Sequence, residues 1–304
     1  MKEAALFYED FLVDNGKGVY EFNPSYSPEN TPGDSNSQAA INSTMDIAAC
    51  RQLLGNLITV CTKLDIEKEN VAKWRAMMDK LPKYMIGQNG ELKEWCEESL
   101  GENHSHRHCS HFLGLWYGID PAIKEDPELL AAAKKAVLMR TECRRAERGG
   151  VMGFGIVQIG LAASSLGDAD TVWFCLNRLA TRYYYPTFAS AHNAGPSIFN
   201  ADISGGYPAV VVEMLVQSRP GEIKLLGALP KELPSGTIRG VPCRGQVLVE
   251  QLQWSPEKVS FTLSSPVDQE ITVKVRVGDQ FETIKIRLEA DKPTTKVLLD
   301  NTAT

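Results

Sequence analysis

The residues best suited to chemistry are concentrated in one stretch. Gly101 to Gly118, GENHSHRHCSHFLGLWYG, holds four of the chain's five histidines, His104, His106, His108 and His111, within eight residues. Neutral imidazoles in a core need partners for both ring nitrogens, so four in one turn-rich segment point to a site rather than to packing. Two carboxylates stand out on loops. Glu29 sits between Pro28 and Asn30 with Tyr20 and Tyr26 nearby, and Asp202 lies in an aromatic, Gly- and Pro-rich stretch, 183–207, that also carries His192 and Asn200. A carboxylate on a proline-stiffened loop beside aromatic rings suits the acid of a sugar site, and its plain alternative is a solvated loop glutamate. Two carboxyl groups in one cleft are the minimum for glycoside hydrolysis, where one protonates the leaving oxygen and the other promotes attack.

Other chemistries compete for the histidines. The run H-x-H-x-H followed by Cys109 and His111 resembles a metal-binding tract. No H-E-x-x-H is present, however, and only His108 and His111, spaced i, i+3, would share a helix face. We therefore expect no metal and no cofactor. A nucleophile pair of His108 and Cys109 is conceivable, although sequence neighbours on a helix point apart. A non-catalytic carbohydrate-binding helical module is the alternative from another class.

The composition excludes several classes. At 304 residues the chain can bury a large core, and its formal charge of −6 gives no support for binding nucleic acid through phosphates. The seven cysteines are scattered and never form CxxC, which argues against a disulfide framework or a thiolate zinc site. No apolar run reaches the roughly 18 residues of a membrane span, and residues 1–6 lack a signal-peptide pattern, so the chain reads as soluble, with its compartment unknown.

The elements that must position these groups alternate helix and loop. Residues 1–13 form an amphipathic helix without a start cap, and the long loop 16–40 follows. Asn42, Ser43 and Thr44 cap a helix burying Ile47, Cys50, Leu54, Leu57, Ile58 and Cys61. Further helices are expected over 69–81, over 128–147 ended by Gly149 and Gly150, over 152–166 and 168–181, and from Pro208 to Gln217. Glu91, Glu94, Glu97 and Glu98 read as a solvated face, and Arg140, Arg144, Arg145 and Arg148 as cations at a helix C-terminus. After Pro220 the period changes: Ile271, Val273, Val275 and Val277 alternate with polar residues, as do Ile284, Ile286 and Leu288. The expected domains are a helical region, 1–222, and a small antiparallel β domain, 223–304.

The runs Tyr26-Ser27-Pro28-Glu29-Asn30, His106-Arg107-His108-Cys109-Ser110-His111 and Phe199-Asn200-Ala201-Asp202, then Gly205-Gly206 and Glu213-Met214-Leu215, resemble glycoside hydrolase family 95 when taken in order. Leu225-Leu226-Gly227-Ala228-Leu229-Pro230 and Pro234-Ser235-Gly236 extend the match, so that the resemblance covers about residues 1 to 255. It implies a partial (α/α)6 toroid followed by a β-sandwich-like domain. It also implies an inverting exo-hydrolase acting on fucosylated glycans, notably 1,2-linked α-L-fucosides, or on α-L-galactosides. By the same resemblance Glu29 is the general acid, Arg107 and His108 bind the sugar, and Asp202 polarises a pair of asparagines that activate the water. Inversion would set the two carboxyl groups roughly 6.5 to 9.5 Å apart. The family's upstream Asn-x-Asn segment has no match in residues 1–16, and Asn200 and Ser204 replace the family's usual Gln and Asn around the Asp. The chain is thus expected to be the C-terminal part of an enzyme, inactive or nearly so alone.

Overall fold

A computed structural model describes residues 1–148, 152–195 and 198–299. The helix end expected at Gly149 and Gly150 lies outside the described residues. The chain divides into two compact units, Met1–Val151 and Met152–Thr304.

In the first unit, α1 (Lys2–Phe11) starts without a side-chain cap. A two-residue antiparallel ladder follows, β1 (Val13–Asp14) with β2 (Tyr20–Glu21). The long loop then leads to α2 (Thr44–Leu64), where the Ser43 side chain accepts from the Asp46 amide and closes the first turn. Its expected apolar stripe, Ile47 to Cys61, is buried. Asp65 in the left-handed region ends it, and α3 (Lys68–Asp79) turns back against α2 as a helical hairpin that buries Trp74 and Met77. After α4 (Pro121–Lys124), α5 (Pro127–Arg145) begins with proline in its first turn and Asp126 as cap.

One expectation about this unit is overturned. Glu91 and Glu94 are 1% and 0% exposed, not solvated. Arg144 and Arg145 lie in the last turn of α5 as expected, and Arg140 and Arg144 are in addition fully buried, on the stripe of Ala133 and Val137, and act on interior partners. The histidine stretch leads into a largely buried 3₁₀ helix, Ser110–Leu115.

The second unit opens with α6 (Gly153–Leu166), buried nearly all round, and α7 (Ala169–Arg182), joined by Gly167 in the left-handed region and capped by Asp168. The helix α8 (Ala201–Leu215) packs on both. It starts seven residues before the expected position, and Pro208 lies inside it. Asp202 therefore sits in the first turn of a helix, not in a loop. Glycines and a proline make 201–208 read as loop, but the Asn200 cap, the buried Ile203 and the close approach of Gly206 to Val157 on α6 overrule that tendency.

From α8 the chain passes directly into β3 (Val216–Arg219) and β4 (Glu222–Leu225), a hairpin. Then follow β5 (Gly236–Cys243), β6 (Val247–Trp254), β7 (Lys258–Ser264), β8 (Gln269–Val277), β9 (Gln280–Leu288) and β10 (Thr294–Leu299). They form two four-stranded sheets, ordered β10-β7-β6-β5 and β3-β4-β8-β9. The alternation seen in the sequence is real, with Ile271, Val273, Val275 and Val277 buried along β8. One pair departs from the antiparallel expectation: β4 runs parallel to β8, with Ile223 opposite Val273. The long connection through β5 to β7 permits this, since parallel neighbours need a crossover.

Candidate active site

The first unit brings Glu29, Arg107 and His108 together although 78 positions separate Glu29 from Arg107. The Glu29 amide donates to His108 Nδ1 at 3.0 Å, and Arg107 Nη2 donates to Glu29 Oε2. The Glu29 side chain is 51% exposed, so its carboxylate is open to a ligand while its backbone is tied down. Because Nδ1 accepts, a neutral His108 ring carries its proton on Nε2. The Ser110 hydroxyl donates to the Pro28 carbonyl and draws the loop further onto the histidine segment.

Behind this surface lies a layer of buried charge. The Glu94 carboxylate accepts from Ser27 Oγ (2.6 Å), from Asn30 Nδ2 (2.7 Å) and from Arg140 Nη2. Arg140 Nη1 also donates to the His106 carbonyl at 3.1 Å, and Arg144, one turn along α5, donates to the Ser105 and His106 carbonyls. Burial pushes the Glu94 carboxyl above the usual range while its three donors pull the other way. For Arg140, burial opposes the charge, but attraction to Glu94 prevails and the guanidinium is held above its ordinary value. Glu102 accepts from the Glu94 amide, and burial raises its carboxyl to about 7.

The other histidines do different work. His104 Nε2 lies 3.2 Å from Glu91 Oε1. His106 Nδ1 accepts from the His108 amide. His111 is buried 3.8 Å from Glu94. Burial lowers all three, His106 to about 3 and His111 well below its usual value, so they are neutral near pH 7. Among the described residues no three of His, Cys, Asp and Glu are grouped to hold a metal ion. Cys109 is fully buried, and burial pushes its thiol up to about 11, which keeps it from serving as a thiolate nucleophile.

Aromatic groups flank the Glu29 loop. A cleft of about 540 Å³ is lined by Phe7, Phe11, Phe22, Tyr26 and Asp46 among others. The Tyr26 hydroxyl donates to Gln38, whose amide donates to the Glu29 carbonyl at 2.9 Å.

Asp202 belongs to the second unit. It is exposed in the first turn of α8, where Asn200 Nδ2 donates to its Oδ2 at 3.0 Å. The same Asn200 caps the helix by accepting from the Ile203 amide at 3.0 Å, so both ends of its side chain are engaged. His192, on the preceding loop, bonds to its neighbour Asn193.

Sequence reading missed Glu94, Arg140, Ser27 and Asn30. A signal for one of them was present. Ala133, Val137, Arg140 and Arg144 fall on one helical stripe, and an arginine there must find a buried acceptor. Nothing in the run Leu92-Lys93-Glu94-Trp95 marks Glu94 as that acceptor, because the segment is irregular.

The first unit thus holds a cluster of acid, guanidinium and imidazole, and the second ends in two β-sheets. Residues 1–215 match the glycosyl hydrolase family 95 catalytic domain and residues 217–303 the family's C-terminal domain, and the chain belongs to this family. It is similar to alpha-L-fucosidase 2 of Arabidopsis thaliana, 29% identical over 261 residues, covering 82% of this chain and 30% of that protein. Among solved structures it is similar to a putative kojibiose phosphorylase from the human microbiome (TM-score 0.47, 11% identity, 93% of this chain and 44% of that one). It is also similar to a GH127 β-L-arabinofuranosidase from Geobacillus stearothermophilus T6 (TM-score 0.25, 9% identity, 85% and 42%). No helix among the described residues is long and apolar enough to cross a membrane.

Proposed function

We propose that this chain carries the acid side and a sugar-binding wall of an inverting exo-α-L-fucosidase acting on fucosylated oligosaccharides or polysaccharides, with 1,2-linked α-L-fucosides as preferred substrate and α-L-galactosides as relatives of it. The observation that carries the reading is the convergence of Glu29, Arg107 and His108, with the Glu29 and Arg107 side chains partly exposed and His108 buried against the Glu29 backbone. The named relative, of which the chain spans about 30%, supports the choice of sugar.

In this reading Glu29 is the general acid. Its carboxyl proton passes to the glycosidic oxygen as the C–O bond breaks, and the carboxylate left behind is held by Arg107. His108 donates from Nε2 to a sugar hydroxyl oxygen while Nδ1 keeps the Glu29 backbone in place. Asp202 acts at one remove, drawing on an asparagine amide so that the amide oxygen becomes a better acceptor for the attacking water. The hydrogen bond from Asn200 Nδ2 to Asp202 supports the reading, although the Asn200 oxygen itself is engaged by the helix cap. The resemblance assigns the water-activating asparagines to a segment without a match here.

The test is release of L-fucose from a 2′-fucosylated oligosaccharide, measured on the 304-residue chain and on the longest polypeptide its reading frame encodes. Glu29→Gln is expected to lower turnover by about 10² to 10⁴ in whichever form is active. Equal turnover in the variant would remove Glu29 from the chemistry. Calorimetric titration with L-fucose separates the second reading, a non-catalytic sugar-binding module: binding lost in His108→Ala with no turnover in either polypeptide would favour it. The openness of the Glu29 carboxylate to a ligand, with its backbone fixed, fits either case.

A further inference from the structure

We propose that the buried Glu94–Arg140 ion pair is the positioning device of this site, holding the loop that carries Glu29 in register with the loop that carries Arg107 and His108. The inference rests on the reading that those three residues face the sugar.

The argument is one of connectivity. Glu94 is 0% exposed, and its oxygens take hydrogens from Ser27 and Asn30, which stand two before and one after Glu29. The loop is therefore gripped on both sides of the residue whose carboxylate must stay exposed. Arg140 completes the link, with one nitrogen on Glu94 and another on the His106 carbonyl, immediately before Arg107. A planar guanidinium can hold two acceptors in fixed directions at once, which a lysine ammonium on a flexible stem cannot do as rigidly. Arg144 repeats the grip one turn further on α5. A rigid helix thus supplies the reference frame for two irregular loops. An ion pair retained only for stability would be an inefficient choice, since replacing such a pair by apolar groups is often neutral or better.

Neither Glu94 nor Arg140 is offered as a group that touches substrate, so the test reads position. In the full chain, hydrogen exchange at the Glu29 amide, which donates to His108, is followed with exchange at Leu54 and Leu57 on α2 as controls. In Glu94→Gln the Glu29 amide is expected to exchange roughly tenfold faster, the ratio that corresponds to loss of one buried hydrogen bond, while the α2 amides hold within twofold. L-fucose affinity, read from the His108 imidazole signals, should weaken in parallel. Should Glu94→Gln fail to fold, Ser27→Ala removes one grip, leaves the ion pair intact and is expected to show the same local change on a smaller scale. Unchanged Glu29 exchange in a folded variant, or a uniform rise across α2 as well, would overturn the proposal, the second outcome leaving a plain stabilising pair. The exchange arm needs no sugar. Absence of any fucose response in the unmodified chain therefore counts against the functional reading, and unchanged exchange counts against the positioning device.

Discussion

At the residue scale the site is a contrast between an open carboxylate and closed ones. Glu29 faces outward, whereas Glu94 is fully buried and Glu102 partly buried, both governed by desolvation. Glu102 gives a pH dependence whose sign follows from its carboxyl being raised to about 7. Between the unfolded value near 4.3 and about 7, the folded chain binds more protons at this group than the unfolded chain does, so its contribution to stability falls as pH rises. The buried histidines act oppositely, since His106 lowered to about 3 loses stability as pH drops below 6.5. The isolating experiment is a difference. Chemical denaturation of the parent and of Glu102→Gln from pH 4.5 to 7.5 should show the parent losing stability relative to the variant by up to about 1.4 kcal/mol per pH unit inside that window. A constant difference would show that Glu102 titrates normally. Glu29 and Asp202 draw attention in the sequence as carboxylates on irregular stretches and His108 as part of a histidine run, whereas Arg107 enters only through the family resemblance. Glu94 was not, because burial of a charge is decided by partners that lie 64 and 67 positions before it and 46 after it.

At the element scale, local pattern and tertiary packing divide the credit. The apolar stripe of α2, its Ser43 cap and the alternation of β8 were legible because each is a short-range regularity. The start of α8 was not, because its first turns contain residues that disfavour helix and are kept helical by contact with α6. Two adjacent glycines there make opposite predictions. A Cβ on Gly206 would lie 2.6 Å from Val157 Cγ1, on a stiff β-branched side chain in a packed helix. Gly206→Ala should destabilise by about 1–3 kcal/mol despite its better helix propensity. A Cβ on Gly205 would meet nothing within 4 Å, so Gly205→Ala should stabilise by about 0.5–1 kcal/mol. Thermal melts of the two single variants decide the matter, and stabilisation by both would mean that the α6–α8 contact is looser than described. The parallel pairing of β4 with β8 was likewise beyond the sequence, since alternation fixes which face a strand buries but not which strand it meets.

At the scale of the whole molecule, a division by composition and a division by contact are different properties. The change from helix-rich to strand-rich sequence falls near residue 222, yet a cut there would part β3 from β4 within one hairpin. It would also break the bonds from the Leu226 amide to the Leu215 carbonyl and from the Ala228 amide to the Met214 carbonyl. We expect residues 152–304 expressed alone to melt cooperatively and residues 223–304 to show no sharp transition, as followed by calorimetry or near-UV circular dichroism. A cooperative melt of the shorter piece would establish the sheets as an independent domain. The uninterrupted passage from α8 into β3 has one more consequence. The helix is 15 residues long, about 22 Å, with Asp202 near one end and the sheet fused to the other. Helix and hairpin are thus one continuous run of backbone. Under the role proposed for Asp202, substitutions in the β3–β4 hairpin should change turnover through the orientation of α8.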